Sequence, residues 1–320
     1  MGALVSAPAH VPRLRYRLAR RADIAECLAM LPAYLGLDAA TRAALPALYE
    51  RLVNEPTVFF MVNEDHALPP GARIQAWGFA MAVTSAWAAR LQLEARPEPY
   101  LARQVYRACL DGSLVPIDDE AFGRANAGGE VVLLALHYAM RHDDLNDPYT
   151  HALLAVGNEG MRFGMAGFNL AAIYYENVAE ADAYMAAAGF IPRDALGVRH
   201  GLRLWGMTRD EARRTMPGNT ARHLFEWQPP RFRLSVSQRR LLSQALFGDD
   251  DEQLARVLDV SPHGLKKLWR GIYERIADVV PDFFGDAGSA DDGKRGPEKR
   301  RQVLAYVRQR PEELRPWVTR

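Results

Sequence analysis

Three basic side chains near the C-terminus are predicted to project from one face of a helix. Ser261 followed by Pro262 is typical of an N-cap with proline at the first helical position, and the helix is expected to reach about Ile276. Its apolar residues recur at the spacing of a buried stripe: Leu265, Leu268, Ile272 and Ile276. The opposite side carries mostly polar residues: His263, Lys266, Lys267, Arg270 and Glu274. Long cations on the exposed face of a capped helix can contact the base edges and phosphates of double-stranded DNA.

Two shorter helices are predicted just before this one. Residues 237–247 carry an apolar stripe, and Gly248 can take the left-handed conformation that often ends a helix. The aspartates that follow, Asp249 to Asp251, offer acceptors for the free N–H groups of a second helix that reaches about Leu258. A compact unit of three helices is therefore expected.

The charge of the chain is unevenly distributed. Residues 231–320 contain 18 Lys and Arg against 14 Asp and Glu, a net charge of +4, whereas the preceding part carries −3. A basic end beside a slightly acidic body favours a polyanionic partner, and ordinary solvated surface charge explains the same difference.

Residues 234–276 resemble the LuxR-type helix-turn-helix domain of bacterial transcription regulators. The pattern follows the chain without a gap through Leu234-Ser235, Gly248, Leu254-Ala255, Val260-Ser261-Pro262, Leu265-Lys266 and Ile272-Tyr273. The resemblance implies that Lys266, Lys267 and Arg270 approach base edges or phosphates, with His263 near the DNA backbone. It also implies a homodimer that reads two half-sites about one helical turn apart.

Three positions depart from that family. An acidic residue is usual where Gln238 stands, threonine where Gly264 stands, and a small aliphatic residue where Trp269 stands. The alternative to a DNA-binding domain is a three-helix bundle that binds protein.

A further basic helix is predicted after a Gly- and Asp-rich linker at residues 286–296. Residues 297–308 place Arg300, Val303, Leu304 and Val307 at helical spacing. Two interpretations stay open for its cations, Lys299, Arg300 and Arg301. They contact DNA phosphates, or they form the solvated face of a packing helix.

The larger N-terminal part alternates predicted strands and helices, which indicates an α/β layer structure. We expect a loose arm at residues 1–12, an α/β domain at 13–228 with a helical insertion at about 86–126, the helix-turn-helix domain at 229–284, and a linker with the basic helix at 285–320. Within the α/β domain, residues 130–140 predict a buried strand, and a last strand pair is expected within 196–207.

Residues 170–190 resemble the last strand–helix unit of the GNAT acetyltransferase superfamily. A predicted strand leads to Asn177, then a helix bears Tyr184, and Gly189-Phe190 ends the unit. Counting from Asn177 puts Tyr184 at the position of the family's acid tyrosine, whereas counting back from Gly189 puts Met185 there. Tyr184 is therefore either the catalytic acid or a core residue, and the preceding strand occupies the place of the family's cofactor strand.

The loop at residues 141–148 departs from what the resemblance implies for acetyl-CoA binding. The family's loop turns backbone N–H groups onto the pyrophosphate at a helix N-terminus. Arg141 fits its first position, but Asp144 and Asn146 replace both small residues, and Asp143, Asp144 and Asp147 add negative charge toward an anion. We expect that acetyl transfer has been lost or altered and that the domain holds a small-molecule ligand as a sensor, mediates dimerisation, or does both. The alternative is an active N-acyltransferase in which Arg141 and Asn177 hold acetyl-CoA and Tyr184 is catalytic.

Other classes of function are disfavoured by composition. Two cysteines, Cys27 and Cys109, exclude a disulfide framework and a four-thiolate zinc site. His137, His142 and His151 lack metal-ligand spacing within one helix, so no metal site is expected. The longest apolar run, at 131–140, is too short to span a bilayer, and the N-terminus makes a poor signal peptide. We therefore expect a cytoplasmic transcription regulator that binds double-stranded DNA and no membrane.

Overall fold

The computed structural model describes residues 11–318 except 94, 96–98, 143, 194–197, 199 and 286–291, together with the backbone but not the side chains of 292–295. Most of the predicted N-terminal arm and part of the predicted linker lie outside the described residues.

A seven-stranded mixed sheet forms the centre of the α/β region, which we define as residues 11–223. The strand order is β1-β2-β3-β4-β5-β7-β6, and β4 and β5 form a parallel pair while the other neighbours are antiparallel. The strands are β1 (Leu14–Leu18), β2 (Val58–Asp65), β3 (Ile74–Thr84), β4 (Val131–Met140), β5 (Leu170–Val178), β6 (Ile191–Pro192) and β7 (Leu202–Thr208).

The expected last strand pair is displaced from the prediction of residues 196–207. Ile191 pairs with Gly206 instead, and β7 begins at Leu202. Val198, inside the predicted range, is 42% exposed, whereas Leu202, Leu204, Trp205 and Met207 are buried. Both faces of β7 are thus buried, with Leu204 in the core on one side of the sheet and Trp205 and Met207 in the core on the other. Residues 194–197 and 199 lie outside the described part.

Helices cover both faces of the sheet. One face packs against α1, α2 and α4, and the other against α5, α6, α7 and α8. Of these helices, α4 lies within residues 86–126 and α5 begins there. The helices of this region are α1 (Ile24–Ala29), α2 (Ala39–Leu52), α3 (Ser85–Ala88), α4 (Leu101–Leu110), α5 (Asp119–Gly128), α6 (Pro148–Met165), α7 (Asp182–Ala187), α8 (Arg209–Arg214) and α9 (Thr220–His223).

The helical region, residues 231–309, follows an irregular connection at Gln228-Pro229-Pro230. It contains α10 (Val236–Ala245), α11 (Asp251–Leu258), α12 (Pro262–Val279) and α13 (Asp292–Gln309), which share one apolar core. Gly248 has the positive φ predicted for the end of α10, and Ser261 caps α12 by accepting a hydrogen bond from the N–H of Gly264. A turn of only three residues therefore separates α11 from α12.

The two regions are held together by charged and aromatic contacts. Arg20 pairs with Asp249 at 2.6 Å, and Arg239 pairs with Asp119. The ring of Phe247, after α10, packs edge-on against Tyr16 of β1. The helical core thus abuts the outer strand of the sheet.

A C-terminal segment, residues 311–318, returns to the α/β region. Arg315 is buried and donates hydrogen bonds to the carbonyls of Phe163 and Ala166 at the end of α6. Its guanidinium also lies 4.6 Å from the ring centre of Phe168. The segment predicted as part of a tail therefore joins both regions.

In the parts of the chain that the structure describes, no helix combines the length and the apolar character that crossing a bilayer requires.

Candidate functional site

The parallel strands β4 and β5 separate in the middle of the sheet. Their ladder runs from Val131 opposite Leu170 to Ala135 opposite Tyr175, but β4 continues to Met140 and β5 to Val178. Beyond Ala135, β4 still pairs with β3 on its other side. Backbone groups of β4 that point away from β3 therefore face an open gap.

An irregularity in β4 lies where the gap begins. Phe79 of β3 is opposite His137, whereas its neighbour Ala80 is opposite Ala135, so Leu136 is the extra residue of a β-bulge. A bulge bends its strand and increases the local twist, which turns the end of β4 away from β5.

A cavity of about 690 Å³ occupies this gap. Its walls come from both separated strands, from α6 and α7, and from residues 30–34 before α2. This volume is typical of sites for small molecules. The cavity is predominantly apolar, and the polar side chains in its wall include Asn63, Tyr138, Asn158, Asn177, Glu180 and Tyr184.

Tyr184 lies in the cavity wall rather than in the core. The residue is 36% exposed, and its hydroxyl donates a hydrogen bond to Oδ1 of Asn158 at 2.5 Å. Partial burial raises the pKa of Tyr184 above its ordinary value, against the effect of the Asn158 hydrogen bond. Met185, the residue reached by counting back from Gly189, is 1% exposed and lines the apolar part of the same cavity. Of the two, Tyr184 alone offers a proton.

Asn177 also lines the cavity and lies one residue before the end of β5. Its Oδ1 accepts a hydrogen bond from the N–H of Val178 at 2.9 Å. The two GNAT-like positions, Asn177 and Tyr184, are thus brought to one cavity by β5 and α7. Gly189 closes α7 at a φ of +93°, where a Cβ would overlap the Asn219 side chain.

A buried hydrogen-bonded group was missed by the sequence analysis. Nε2 of His137 lies 2.7 Å from the hydroxyl of Tyr106, which lies 2.5 Å from the hydroxyl of Tyr49. Burial lowers the pKa of His137 to about 3, so its imidazole is neutral at pH 7. The signal available beforehand was tyrosine on the apolar stripes of α2 and α4, which indicates burial but not a shared partner.

Arg141 is engaged away from the cavity. It forms an ion pair with Glu26 at 2.5 Å and donates from Nε to the carbonyl of Ile74 at 2.7 Å. These partners lie on α1 and β3, so they direct the guanidinium toward the sheet edge and α1.

Carboxylates accept hydrogen bonds from the loop's backbone N–H groups. Asp147 caps α6 by accepting from the N–H of Tyr149, and Asp144 accepts from the N–H of Asn146. In a phosphate-binding loop such N–H groups face the anion. The loop therefore does not fit the pyrophosphate of coenzyme A.

The four residues of the predicted DNA-binding face are all exposed on α12: His263, Lys266, Lys267 and Arg270. Arg270 lies 4.0 Å from Glu274 in an exposed pair. Trp269 points to the other side, where it is 6% exposed and contacts Tyr273. The tryptophan that departs from the family pattern thus belongs to the core.

The three cations predicted on the basic helix differ in their surroundings. Arg300 pairs with Asp251 at 2.5 Å and lies 4.7 Å above the ring of Trp269, so it packs α13 against α11 and α12. Lys299 lies 5.1 Å from the ring centre of Phe284, and Arg301 pairs with Glu298. Arg301 is mostly exposed, and Arg300 is mostly covered.

No cluster of three or more His, Cys, Asp or Glu side chains suited to a metal ion occurs among the residues with described positions.

The α/β region is similar to several solved structures at low identity. A mutant form of the spermidine N-acetyltransferase SpeG from Vibrio cholerae matches 61% of this chain and 93% of its own, with 10% identity and a TM-score of 0.34. SsHAT matches 61% and 98%, with 14% identity and a TM-score of 0.33. FeeM, an N-acyl amino acid synthase from uncultured soil microbes, matches 63% and 96%, with 10% identity and a TM-score of 0.35.

No protein-family model and no curated protein matches the sequence. Identities and TM-scores this low say nothing about which reaction the chain performs. The structure has a mixed α/β fold in which β5 is followed by α7 and then by Gly189-Phe190.

Proposed function

We propose that the α/β region is an acyltransferase that moves an acyl group from a thioester to an amine. The observation that carries the proposal is the position of the cavity in the gap between β4 and β5, with the Tyr184 hydroxyl in its wall. A gap between parallel strands exposes backbone N–H groups that can donate to a carbonyl oxygen. In this proposal the thioester and the amine meet in the gap.

The transfer step needs one proton donor. The amine nitrogen attacks the thioester carbonyl carbon, a C–N bond forms, and the C–S bond breaks. The departing thiolate takes the proton of Tyr184, and the proton lost by the amine passes to solvent, from which the tyrosinate is protonated again. A tyrosine hydroxyl is protonated at neutral pH, and burial, which raises the pKa of Tyr184, keeps it so. The residue therefore holds the proton that a general acid donates.

Acetyl-CoA is a poor donor for this site. Its phosphates would approach Asp144 and Asp147, whose carboxylates accept from the loop's N–H groups, and Arg141 is paired with Glu26. Phosphate binding is opposed by the negative charge of these carboxylates and by the hydrogen bonds that the loop's N–H groups already make to them. The donor is therefore recognised through its acyl group and the adjoining thioester arm.

Binding and thiol release test this proposal. We expect acyl-pantetheine thioesters to bind in calorimetry and to release thiol when a panel of amines is added. Tyr184→Phe should lower the release rate about 100-fold, since a general acid contributes about 10²–10⁴, with little change in binding. Tyr306→Phe, in the helical region, serves as the matched control.

Two outcomes would contradict acyl transfer. One is the absence of binding by any acyl thioester at millimolar concentration. The other is binding without thiol release, which would support the ligand-sensor interpretation of the same cavity.

A second candidate function is DNA binding by α12. The observation that favours it is the common exposure of His263, Lys266, Lys267 and Arg270 on the helix that follows a three-residue turn. Nothing else in the described part of the chain packs over this face strongly enough to bury these side chains. The helix-turn-helix assignment and the homodimer remain proposals.

Fluorescence anisotropy with random and genomic duplexes tests this candidate. We expect binding that weakens steeply between 50 and 200 mM salt, as phosphate contacts do. The double change Lys266→Ala and Arg270→Ala should lower affinity about 100-fold and leave unfolding unchanged. Arg213→Ala, which removes an exposed cation of the α/β region, is the control. Normal duplex affinity in the double variant would contradict DNA binding by α12.

A further inference from the structure

Six of the buried side chains that line the inner end of the cavity are apolar. These side chains belong to two strands, to the end of α6, and to α7 and the turn that follows it. The residues are Phe59, Met61, Ala135, Met165, Met185 and Phe190, all of them buried. A ligand part that reaches this end exchanges water mainly for hydrocarbon contacts.

Methionine is concentrated around this space. Six of the ten methionines of the chain line the cavity: Met30, Met61, Met140, Met161, Met165 and Met185. Methionine side chains are unbranched and flexible, so they adapt to ligands of varying length and conformation. A wall of this kind suits a flexible chain better than a rigid ring, which needs fixed contacts.

Several polar side chains of the wall are hydrogen-bonded within the protein, whereas the buried Nδ1 of His137 has no hydrogen-bond partner among the described residues. Asn63 donates to the Tyr138 hydroxyl at 2.6 Å, and Tyr184 donates to Asn158. A buried polar ligand needs partners for each of its own polar groups. The interior therefore favours hydrocarbon, while Tyr184 and Glu180 mark the exposed rim.

The volume is too large for an acetyl group. The thioester carbon and the amine share the cavity of about 690 Å³, but the two carbon atoms of an acetyl group would not reach its buried apolar part, and unfilled apolar space forfeits the contacts that stabilise a complex. An extended hydrocarbon chain would fill the same space from the gap to Phe190.

We propose that the cavity takes the unbranched acyl chain of a medium-chain or long-chain donor, octanoyl or longer, with the thioester at the rim beside Tyr184. The inference rests on the proposed acyltransferase function and names its donor class. The chain inserts toward Phe59, Met165 and Phe190, and the head of the donor stays outside.

A chain-length series tests the inference on the intact protein. The probes are acetyl-, butyryl-, hexanoyl-, octanoyl- and dodecanoyl-pantetheine, with binding measured by calorimetry. Burial of one methylene contributes about 0.8 kcal/mol, which converts to about fourfold in affinity, so binding should tighten about fourfold per added carbon up to octanoyl. Equal affinity across the series would overturn the donor class while leaving acyl transfer standing.

Free octanoate distinguishes binding of the hydrocarbon chain from binding of the thioester. Octanoate bound as tightly as octanoyl-pantetheine, without thiol release from the thioester, would support the chain-binding cavity and contradict the transferase. No binding by any probe would overturn both.

A bulky substitution tests where in the cavity the acyl chain of the donor lies. Ala188 lies at the end of α7 in the cavity wall and is only partly buried, so Ala188→Phe can enter the cavity without opening the sheet. We expect it to weaken octanoyl-pantetheine binding more than tenfold and acetyl-pantetheine binding less than threefold, estimates that follow from the lost methylene burial. Ala155→Phe adds the same bulk on the exposed side of α6 and should change neither. Equal losses for both probes in Ala188→Phe would contradict insertion of the chain past this residue.

Discussion

The two regions of this protein place their candidate chemistry in opposite environments. In the α/β region the candidate groups line an enclosed, mainly apolar cavity, and Tyr184 and His137 have pKa values shifted by burial. In the helical region the candidate groups, Lys266, Lys267 and Arg270, stand exposed on α12. Enclosure suits the selection of a small apolar ligand, whereas exposure suits a large, charged partner that no cavity admits.

The difference also predicts how each region responds to mutation. Enclosed polar groups are desolvated, so their removal or titration changes the free energy of unfolding. Exposed cations change that free energy little and act mainly on binding to charged partners. Three substitutions, in order of decreasing effect, examine this contrast.

Arg315→Ala is expected to have the largest effect because Arg315 joins the regions. The change leaves the carbonyls of Phe163 and Ala166 without their donor in a buried environment. Each buried carbonyl left without a hydrogen-bond donor typically costs about 1–3 kcal/mol, and the lost packing of the buried side chain adds to this. Urea unfolding followed by tryptophan fluorescence and by circular dichroism should show this loss in one shared transition.

Arg213→Ala is the control for Arg315→Ala, because its side chain is 70% exposed. Its free energy of unfolding should stay within about 0.5 kcal/mol of the unmodified value. Two separate transitions in Arg315→Ala, with only one shifted, would instead show that the regions unfold independently.

Glu176→Gln should change the pH dependence of stability. Glu176 is 9% exposed, and burial raises the pKa of its carboxyl to about 7, against hydrogen bonds from the N–H groups of Leu101 and Tyr100. Because the folded state then holds the proton more tightly than the unfolded state, this contribution to stability is complete below about pH 4.5. It is lost as pH rises through about 7.

The size of that effect follows from the shift. A pKa raised from 4.5 to about 7 corresponds to about 3 kcal/mol. The free energy of unfolding of Glu176→Gln, relative to the unmodified protein, should therefore rise by about this amount between pH 4 and pH 8. A constant difference across the pH range in urea titrations would refute the assigned burial of this carboxylate.

Arg300→Ala should have the smallest effect and decides between the two interpretations of the basic helix. Loss of the Asp251 ion pair and of the contact with Trp269 should cost about 1 kcal/mol of stability. Duplex affinity should not change, because packing occupies this guanidinium. The control is Arg301→Ala, whose mostly exposed pair with Glu298 should contribute less than about 0.5 kcal/mol.

A phosphate-binding role for Arg300 gives the reverse pattern. Arg300→Ala would then keep its unfolding free energy and lose duplex affinity, and the salt dependence of binding would become shallower by about one phosphate contact.

Local signals determined most of the secondary structure before any coordinates were considered. The strand at Val131–Met140 and the helix that begins at Pro262 lie where the apolar run and the Ser261-Pro262 cap placed them. Gly248 and Ser261 occupy the helix end and the cap predicted for them. Such features depend on a few neighbouring residues, which is why sequence predicts them.

Contacts between residues that are far apart along the chain could not be predicted from the sequence. The joining of Tyr49, Tyr106 and His137, which lie on three different elements, could not be inferred from any one of them. The choice between Tyr184 and Met185 likewise needed the orientation of α7, because a shift of one residue turns a helical side chain by about 100°. Burial of Arg315 depended on contacts with residues about 150 positions earlier.

By itself, the sequence determined that an alternating α/β part precedes a purely helical part, that the loop after β4 is acidic, and that three cations share one face of α12. Tertiary structure decided that β4 and β5 separate, that methionines from six places surround the resulting cavity, and that residues 311–318 join both parts. The physical reason is how far apart along the chain the interacting residues lie. Helix periods, caps and charge runs are set by neighbours along the chain, whereas a cavity exists only where distant segments fail to touch.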